Sequence, residues 1–507
     1  MFPVPISCES ASADYFSVYR KQIIGQRQYF ETPYGQQKLL YADWTASGRA
    51  YGPIEMYIQQ EILPFAGNTH THTTITGTLM SAAYAEAKVI VKAHVNAGAD
   101  DILLFCGSGM TSAVNKLQRI LGLRLPDGIG YYGHFSMRDA FFRPVVFITS
   151  MEHHSNHISW LETIATVVII GCDQDGQVDL AHFAVLLEEY RDCPNKIAAV
   201  TACSNVTGIV TPYHEIAKLI HRYGGVCFVD FACSAPYCDI NMHPDEYDAH
   251  LDAIYFSSHK FLGGPGTPGV LLFSKDLYRN RVPDHPGGGT VHYSNPWQGR
   301  EYVADIEERE DGGTPPFLQG IKAGMCIRLK EAMGVPAMLQ RERELLAIIF
   351  PRLSRIPQLQ VLQSNMTDRL GVVSFTTGIH YNLFVRLLND RFGIQMRGGC
   401  SCAGTYGHLL LDVGQIQSYA IWDAIRSGDL LQKPGWVRLS IHPTMTDAEI
   451  HFILDAIEEI VANIKDWEED YYYDTYSNEY YFKTPNMKEQ HIGSWFEPGN
   501  WQVYTTR

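Results

Sequence analysis

Between residues 100 and 275, short apolar runs alternate with stretches that have the spacing of amphipathic helices. The runs are DILLFC, PVVFITS, TVVIIGC, KIAAVTA, GVCFVDF and AIYFSSH. Runs that are apolar throughout, rather than at every second position, are typical of strands buried on both faces. Strands that alternate with helices predict an α/β fold with a largely parallel sheet covered on both sides. Such sheets bind ligands beyond the carboxyl ends of their strands.

One intervening helix, TPYHEIAKLIHRYGG, has recognisable ends. Thr211 can cap it, Pro212 suits its first turn, and Gly224 or Gly225 can take the left-handed conformation that stops it.

After residue 320 the pattern changes to a mixture of long helices and a few strands. The helical stretches IKAGMCIRLKEAM and MLQRERELLAIIF lead into LQVLQS, LGVVSFTT, a helix around YNLFVRLLNDRF and the strand WVRLSI. The last helix, TDAEIHFILDAIEEIVANI, opens with a capping box of Thr446 and Glu449. This part of the chain predicts a smaller α+β domain.

The chain therefore divides into four predicted parts. They are an N-terminal segment that packs with the small domain (1–55), a large domain (56–325), the small domain (326–465) and an acidic, tyrosine-rich extension (466–507). The extension has no catalytic pattern.

Charge and cysteine usage limit the classes of protein that fit. A net charge of −15 argues against a nucleic-acid partner. The start, MFPVPISCES, lacks the features of a secretory signal, and no apolar stretch is long enough to span a membrane. Eleven cysteines without framework spacing fit free thiols. We therefore expect a cytoplasmic enzyme.

Two charged residues follow buried strands. Lys260, in FSSHKFLGGPGTPG, precedes a glycine-rich loop that lets backbone approach a bulky ligand. Lysine forms Schiff bases with aldehydes, and burial makes its amine nucleophilic. Asp230 ends the run containing VDF, where a buried carboxylate needs a partner such as a pyridinium nitrogen. The alternatives are a solvated strand-end lysine and a structural aspartate.

A phosphate site and a stacking residue complete the pattern. FCGSGMTSAVNKLQRIL predicts a strand, a tight turn and a helix whose first amides, with the Ser108 and Thr111 hydroxyls, can hold phosphate. It could also be an ordinary turn. In MEHHSNHISW, His153 can lie on a cofactor ring, although His154 and His157 leave a metal site as a weaker alternative. Together these features predict a pyridoxal 5′-phosphate (PLP) site without metal.

With these residues in place, the chain resembles the class V aminotransferases, and within them the cysteine desulfurase and selenocysteine lyase family. The resemblance covers roughly residues 35–465, from YADWTASGRA to TDAEIHFILDAIEEI. It implies the type I PLP fold, a PLP-binding large domain, and a homodimer whose subunits share the active site.

The resemblance also implies roles for individual residues around the cofactor. Lys260 matches the Schiff-base lysine, Asp230 the partner of the ring nitrogen, and His153 the stacking histidine. The remaining cofactor contacts that the resemblance implies are Asn205 near the phenolic oxygen, the phosphate ligands Thr111, Ser257 and His259 with the backbone of Gly109 and Met110, and Thr314 from the neighbouring subunit. Cys233 stands where the family usually has a glutamine.

For the substrate, the resemblance assigns Arg438 to the carboxylate, with Arg397 nearby, and places Thr45 and Ala46 in the pocket wall. A planar guanidinium suits this role because it can hold a carboxylate through two hydrogen bonds.

Cys402, in RGGCSCAGTYGH, matches the desulfurase cysteine that takes sulfur from the substrate as a persulfide. The neighbouring glycines at 398, 399 and 404 allow its loop to move. The alternative is a buried structural thiol. Cys400 could be a resolving thiol, a packing residue or half of a metal site.

The resemblance thus implies a PLP-dependent enzyme that converts L-cysteine to alanine and a persulfide on Cys402, with an acceptor protein for the sulfur. Other PLP reactions stay open: selenocysteine lyase, a C–S lyase on another sulfur amino acid, or a class V aminotransferase. A non-catalytic partner protein and a sulfurase for a molybdenum cofactor are weaker alternatives.

Overall fold

A computed structural model describes residues 11–132, 143–484 and 492–501 of the chain. Its strands are β1 Tyr29–Thr32, β2 Gly35–Lys38, β3 Leu40–Tyr41, β4 Asp101–Cys106, β5 Val145–Thr149, β6 Thr166–Ile170, β7 Lys196–Thr201, β8 Val226–Asp230, β9 Ala253–Ser257, β10 Gly269–Ser274, β11 Val291–Ser294, β12 Arg300–Tyr302, β13 Gln360–Val361, β14 Val372–Thr376, β15 Ile394–Gln395, β16 Arg397–Gly399, β17 Trp436–Ser440, β18 Tyr471–Asp474 and β19 Glu479–Phe482.

The α-helices of the same residues are α1 Ala11–Arg20, α2 Gly52–Tyr57, α3 Ile75–His94, α4 Met110–Ile120, α5 His154–Leu161, α6 Leu180–Glu189, α7 Tyr213–Arg222, α8 Ile306–Glu310, α9 Phe317–Met333, α10 Val335–Leu353, α11 Tyr381–Phe392, α12 Gly404–Leu410, α13 Gln415–Arg426 and α14 Asp447–Trp467. None of these described helices combines the length and the apolar character that a membrane span requires.

The six apolar runs form β4 to β9 of a seven-stranded sheet with the order β4-β10-β9-β8-β7-β5-β6. Neighbours from β9 to β6 pair in parallel, while β10 runs antiparallel to both β4 and β9. The predicted α/β fold with a largely parallel sheet is therefore confirmed. The register aligns Thr201 with Asp230 and Asp230 with Tyr255, so β7, β8 and β9 end at one edge of the sheet.

The predicted ends of α7 are half correct. Gly224 takes the left-handed conformation with φ of 70°, as expected of a helix stop. Thr211 does not cap the helix, because its hydroxyl instead donates to the carbonyl of Thr201 at 2.5 Å. A tertiary hydrogen bond has thus replaced the local one, and Pro212 occupies the position before the first helical residue.

A second, four-stranded antiparallel sheet has the order β13-β14-β17-β16 and packs with α11, which in turn packs with α14. The predicted capping box of Thr446 and Glu449 at the start of α14 is confirmed. The N-terminal part of the chain lies beside this sheet, since β3 pairs in parallel with β15 and Asp43 forms a bridge to Ser440. This pairing brings the residues that follow β3 to the edge of the central sheet at which β7, β8 and β9 end.

The described part of the C-terminal extension contains a hairpin of β18 and β19. Its Tyr471 is buried and donates a hydrogen bond from its hydroxyl to Asp390 of α11 at 3.0 Å. Residues 485–491 and 502–507 of the extension lie outside the described residues.

Candidate active site

A cavity of about 200 Å³ lies where the carboxyl ends of β7, β8 and β9 face the second sheet. Most of the residues that the sequence singled out line it: Thr45, Ala46, Met110, Thr111, His153, Asn205, Asp230, Cys233, Ser257, His259, Lys260, Arg397, Cys402 and Arg438. These residues come from distant parts of the chain, and the fold brings them together around one cavity.

Gly109, which precedes α4, packs against the wall of this cavity. A Cβ atom built on Gly109 would lie 3.0 Å from the Ser257 hydroxyl, so a larger residue there would press on the wall. The amide of Met110 donates to that hydroxyl at 2.8 Å, and the hydroxyls of Thr111 and Ser155 lie 2.7 Å apart. Amides and hydroxyls at the start of a helix suit a phosphate group. Sequence reasoning missed Ser155, although it stands two residues after His153.

Asp230 and Lys260 supply opposite charges to the cavity. Burial raises the pKa of the Asp230 carboxyl to about 6, although the Ala232 amide, 2.8 Å from Oδ1, and nearby Lys260 lower it. Burial lowers the pKa of the Lys260 amine against the opposing effects of Cys233 and Asp230, and the neighbouring Arg438 lowers it further. A lowered pKa increases the neutral, nucleophilic fraction of a lysine amine.

His153 and His259 are neutral bases in this environment. Burial, followed by the charge of Lys260, lowers the pKa of His153 to about 3 and that of His259 to about 4. His153 precedes α5, and its Nδ1 accepts the amide hydrogen of Ser155 at 3.1 Å. The neutral ring therefore carries its proton on Nε2.

Asp43, which the sequence analysis did not single out, joins the two arginines of the cavity. Its carboxylate accepts from Nη2 of Arg438 at 2.7 Å and from Nε of Arg397 at 3.0 Å. Arg438 is buried and also donates to the carbonyl of Asn205 at 3.0 Å. The only sequence signal was that Asp43 lies in the YADWTASGRA motif, beside Thr45.

Cys233 has a thiol neighbour that sequence reasoning also missed. The thiols of Cys203 and Cys233 both donate to the carbonyl of Ser204, at 3.6 and 3.7 Å. The neighbouring Cys203, then Lys260 and Arg438, lowers the pKa of Cys233 against the effect of burial. The wall beside Lys260 thus contains a pair of free thiols.

Cys402 is exposed at the cavity, in a loop with unusual backbone geometry. Ser401 and Cys402 have φ values of 49° and 56°, a left-handed conformation that side-chain-bearing residues rarely adopt. Asn205 donates to the Ser401 carbonyl at 2.7 Å, and the Trp436 indole donates to its hydroxyl at 3.1 Å. Cys400 is a free thiol that packs against the core.

The histidines that suggested a metal site contact this loop instead. His154 and His157 hydrogen-bond to Gly404 and Thr405, respectively. Within the described ranges, the only group of three side chains able to share a metal ion is His221, His250 and Asp252, which does not line the cavity.

The residues of the cavity fit PLP. Within the described structure, buried Oδ1 of Asn205 and Nε of Arg438 have no hydrogen-bond partner, so both can serve a polar ligand. Asp230 is a buried carboxylate whose position suits the ring nitrogen of PLP, and the start of α4 suits its phosphate.

Thr314 does not line this cavity. It lies in the wall of a neighbouring cavity of about 510 Å³, which shares Thr111 with the first. Its hydroxyl donates to the side chain of Asn68 at 3.3 Å.

Fold and site together define a chain of the aminotransferase class V family, to which it belongs: the model of that family matches residues 40–453. A protein of Halalkalibacterium halodurans named probable cysteine desulfurase is 27% identical over 373 residues, which cover 72% of this chain and 84% of the relative. A Staphylococcus epidermidis protein of the same name is 26% identical over 387 residues, covering 76% and 87%.

Solved structures show the same fold. An apo structure of a cysteine desulfurase from Thermococcus onnurineus NA1 matches with a TM-score of 0.68 and 22% identity, covering 88% of this chain and 98% of the other. A cysteine desulfurase from Escherichia coli, in an S-sulfonic acid form, matches with a TM-score of 0.66 and 20% identity, covering 89% and 98%. The predictions of the family and of the fold are therefore confirmed.

Proposed function

We propose that the protein is a PLP-dependent, cysteine desulfurase-like enzyme that takes sulfur from L-cysteine, releases alanine and leaves a persulfide on Cys402. The observation that carries this proposal is that Lys260, Asp230, Arg438 and Cys402 line one cavity. A lysine, an aspartate and an arginine are common to many PLP enzymes, whereas a thiol at the cavity suits sulfur transfer. The names of the relatives support the same reaction.

The cofactor end of the cavity is formed by Lys260, Asp230 and the start of α4. PLP, when bound, supplies a ring that accepts electrons from the α-carbon of an amino acid. Lys260 would hold the aldehyde of the cofactor, and Asp230 would pair with its ring nitrogen. Thr111 and Ser257 would donate to its phosphate, and neutral His153 would pack on the ring face.

The substrate end is formed by the arginines. Arg438, held by Asp43 and by the Asn205 carbonyl, has a buried Nε that can donate to the carboxylate of an amino acid. Lys260, after release by the substrate amine, can take the α-proton on Nζ because its pKa is lowered.

The sulfur step requires Cys402 as a thiolate. The thiolate attacks the sulfur of the substrate, so that an S–S bond forms while the C–S bond breaks. The electron pair of the broken bond stays with the substrate carbon, which gains a proton and leaves as alanine. The sulfur on Cys402 is then a persulfide, ready for a thiol of an acceptor protein.

We further propose a cytoplasmic homodimer. The described cysteines, from Cys106 to Cys402, are all free thiols, as a reducing compartment would keep them. Thr314 lies beside Thr111 in the neighbouring cavity, from which it could serve the phosphate of a partner subunit. Light scattering should give twice the chain mass of 57.1 kDa.

The test is to incubate the PLP-loaded protein with L-cysteine and a reductant, and to measure sulfide and alanine. The variant is Cys402→Ala, and the matched control is Cys400→Ala, two residues away in the same loop. We expect equimolar sulfide and alanine from the wild type and from the control. The Cys402 variant should lose both products while it keeps its PLP absorbance.

Sulfide production by Cys402→Ala at the wild-type rate would refute the role of this thiol. A PLP-loaded wild type that gives no sulfide from L-cysteine would refute the substrate. Alanine from L-selenocysteine, a keto acid from a larger thioether, or amino-group transfer to a keto acid would then identify which of the other PLP reactions applies.

A further inference from the structure

His154 makes two hydrogen bonds to the chain at Cys402 and just after it. Its backbone amide donates to the carbonyl of Cys402 at 2.7 Å, and its Nε2 accepts the amide hydrogen of Gly404 at 2.9 Å. One residue of α5, next to His153, therefore holds the backbone at Cys402 and at the second residue beyond it.

These contacts are needed because the backbone of the loop does not favour its own conformation. Ser401 and Cys402 both lie in the left-handed region, which costs free energy for residues with a Cβ atom. The conformation persists only when surrounding contacts select it. Asn205 and Trp436 hold Ser401, while His154 holds the residues that follow.

A second hydrogen bond holds the next residue of α12. The Thr405 hydroxyl and Nδ1 of His157 lie 3.1 Å apart. His154 and His157 are three residues apart in α5, so they share one face of this helix, and that face receives the start of α12.

We propose that His154 and His157 are positioning residues that latch the Cys402 loop in its closed position, His154 through the Gly404 amide and His157 through the Thr405 hydroxyl. The latch sets the thiol at the cavity while sulfur is taken from the substrate, and its release lets the persulfide swing outward to an acceptor. This inference rests on the proposed function of Cys402. His154 itself touches no reacting atom.

The test compares three substitutions of His154 in the PLP-loaded enzyme. In His154→Gln, the side-chain oxygen can reach the place of Nε2 and accept from Gly404. In His154→Asn, the shorter side chain places its oxygen near the position of Nδ1, out of reach, and His154→Ala has no acceptor. The backbone bond to Cys402 remains in all three, so only the latch bond differs.

Hydrogen exchange of the loop peptide reports the latch directly. Loss of one hydrogen bond should increase the open population about fivefold. We expect about fivefold faster exchange around Gly404 in the Asn and Ala variants, and near wild-type exchange in Gln. Alanine formed in the first turnover, without reductant, should slow by much less than fivefold in Asn and Ala, because the closed form stays the major one, and KM for L-cysteine should change little.

Wild-type exchange in the Asn and Ala variants would overturn the latch, as would equal effects of all three substitutions. Should His154 variants fold poorly, as judged by PLP absorbance, Thr405→Val removes the second contact from the loop side and should speed exchange in the same peptide. Unchanged exchange in a well-folded Thr405→Val would then overturn the proposal. If the wild type forms no alanine, the proposed function fails, whereas the exchange result still decides the latch.

Discussion

Asp43 is the acidic partner of both cavity arginines, so its neutralisation is the sharpest test of the proposal that Arg438 binds a substrate carboxylate. Asp43→Asn keeps the size of the side chain and removes its charge. One amide oxygen can still accept a hydrogen bond, but the amide nitrogen faces a guanidinium and cannot. Arg438 would then be held mainly by the Asn205 carbonyl and would lose its orientation.

The two ion pairs should contribute unequally. The Arg438 side chain is 3% exposed, so losing its charge-assisted hydrogen bond should cost about 1.5–3 kcal/mol. That corresponds to roughly 10- to 150-fold in kcat/KM, at about 1.4 kcal/mol for each factor of ten. The Arg397 side chain is 49% exposed, and a pair of that kind contributes about 0–1 kcal/mol. Arg397→Ala should therefore cost about fivefold at most.

The assay is kcat/KM for alanine formation from L-cysteine and from L-cysteine methyl ester, which lacks the carboxylate charge. Asp43→Asn should reduce the value for L-cysteine by the larger factor and leave the ester nearly unchanged. An equal loss with both substrates would show that Asp43 acts on the fold of the site and not on carboxylate binding. A loss in Arg397→Ala as large as that in Asp43→Asn would refute the assignment to Arg438.

Two further predictions concern the cofactor end. The folded-state pKa of Asp230, about 6, lies above the ordinary value of 3.8. In the apoenzyme this carboxyl therefore stabilises the fold below pH 3.8, and that contribution is lost as the pH rises through 6. Asp230→Asn should therefore raise the apoenzyme's free energy of unfolding at pH 8 by about 3 kcal/mol, measured by denaturant titration. The same variant should lose PLP more readily on dialysis. A lower free energy of unfolding at pH 8 would contradict the predicted stabilisation. Gly109→Ala should weaken PLP binding about tenfold in absorbance titrations, because the added Cβ would lie 3.0 Å from the Ser257 hydroxyl and 3.5 Å from the His259 ring. Wild-type affinity for PLP would show that the start of α4 tolerates a methyl group.

Much of the architecture could be predicted because it depends on local patterns. The six apolar runs all became strands of the central sheet, and their carboxyl ends placed Asp230 and the residues before Lys260 at one edge. The cavity residues implied by the resemblance also converged, apart from Gly109, which packs behind the wall, and Thr314, which lies in the neighbouring cavity.

The remaining features depend on contacts between residues that are far apart in sequence. Thr211 was expected to cap α7, but the nearby Thr201 carbonyl offered its hydroxyl a stronger alternative once β7 was in place. The Cys203 and Cys233 thiols likewise share the Ser204 carbonyl because β7 and β8 are neighbours in the sheet.

What the sequence by itself determined is six of the seven strands of the central sheet, the fold class, and the residue types at the strand ends, because hydrophobic periodicity and turn residues act over short stretches of chain. Only the tertiary structure decided that Asp43 would bind Arg438 across 395 residues of sequence, and that His154 would hold the cysteine loop across 250. Such pairs leave no periodic signal, since each depends on how separate elements pack. They are the contacts that set the charge and the geometry of this site.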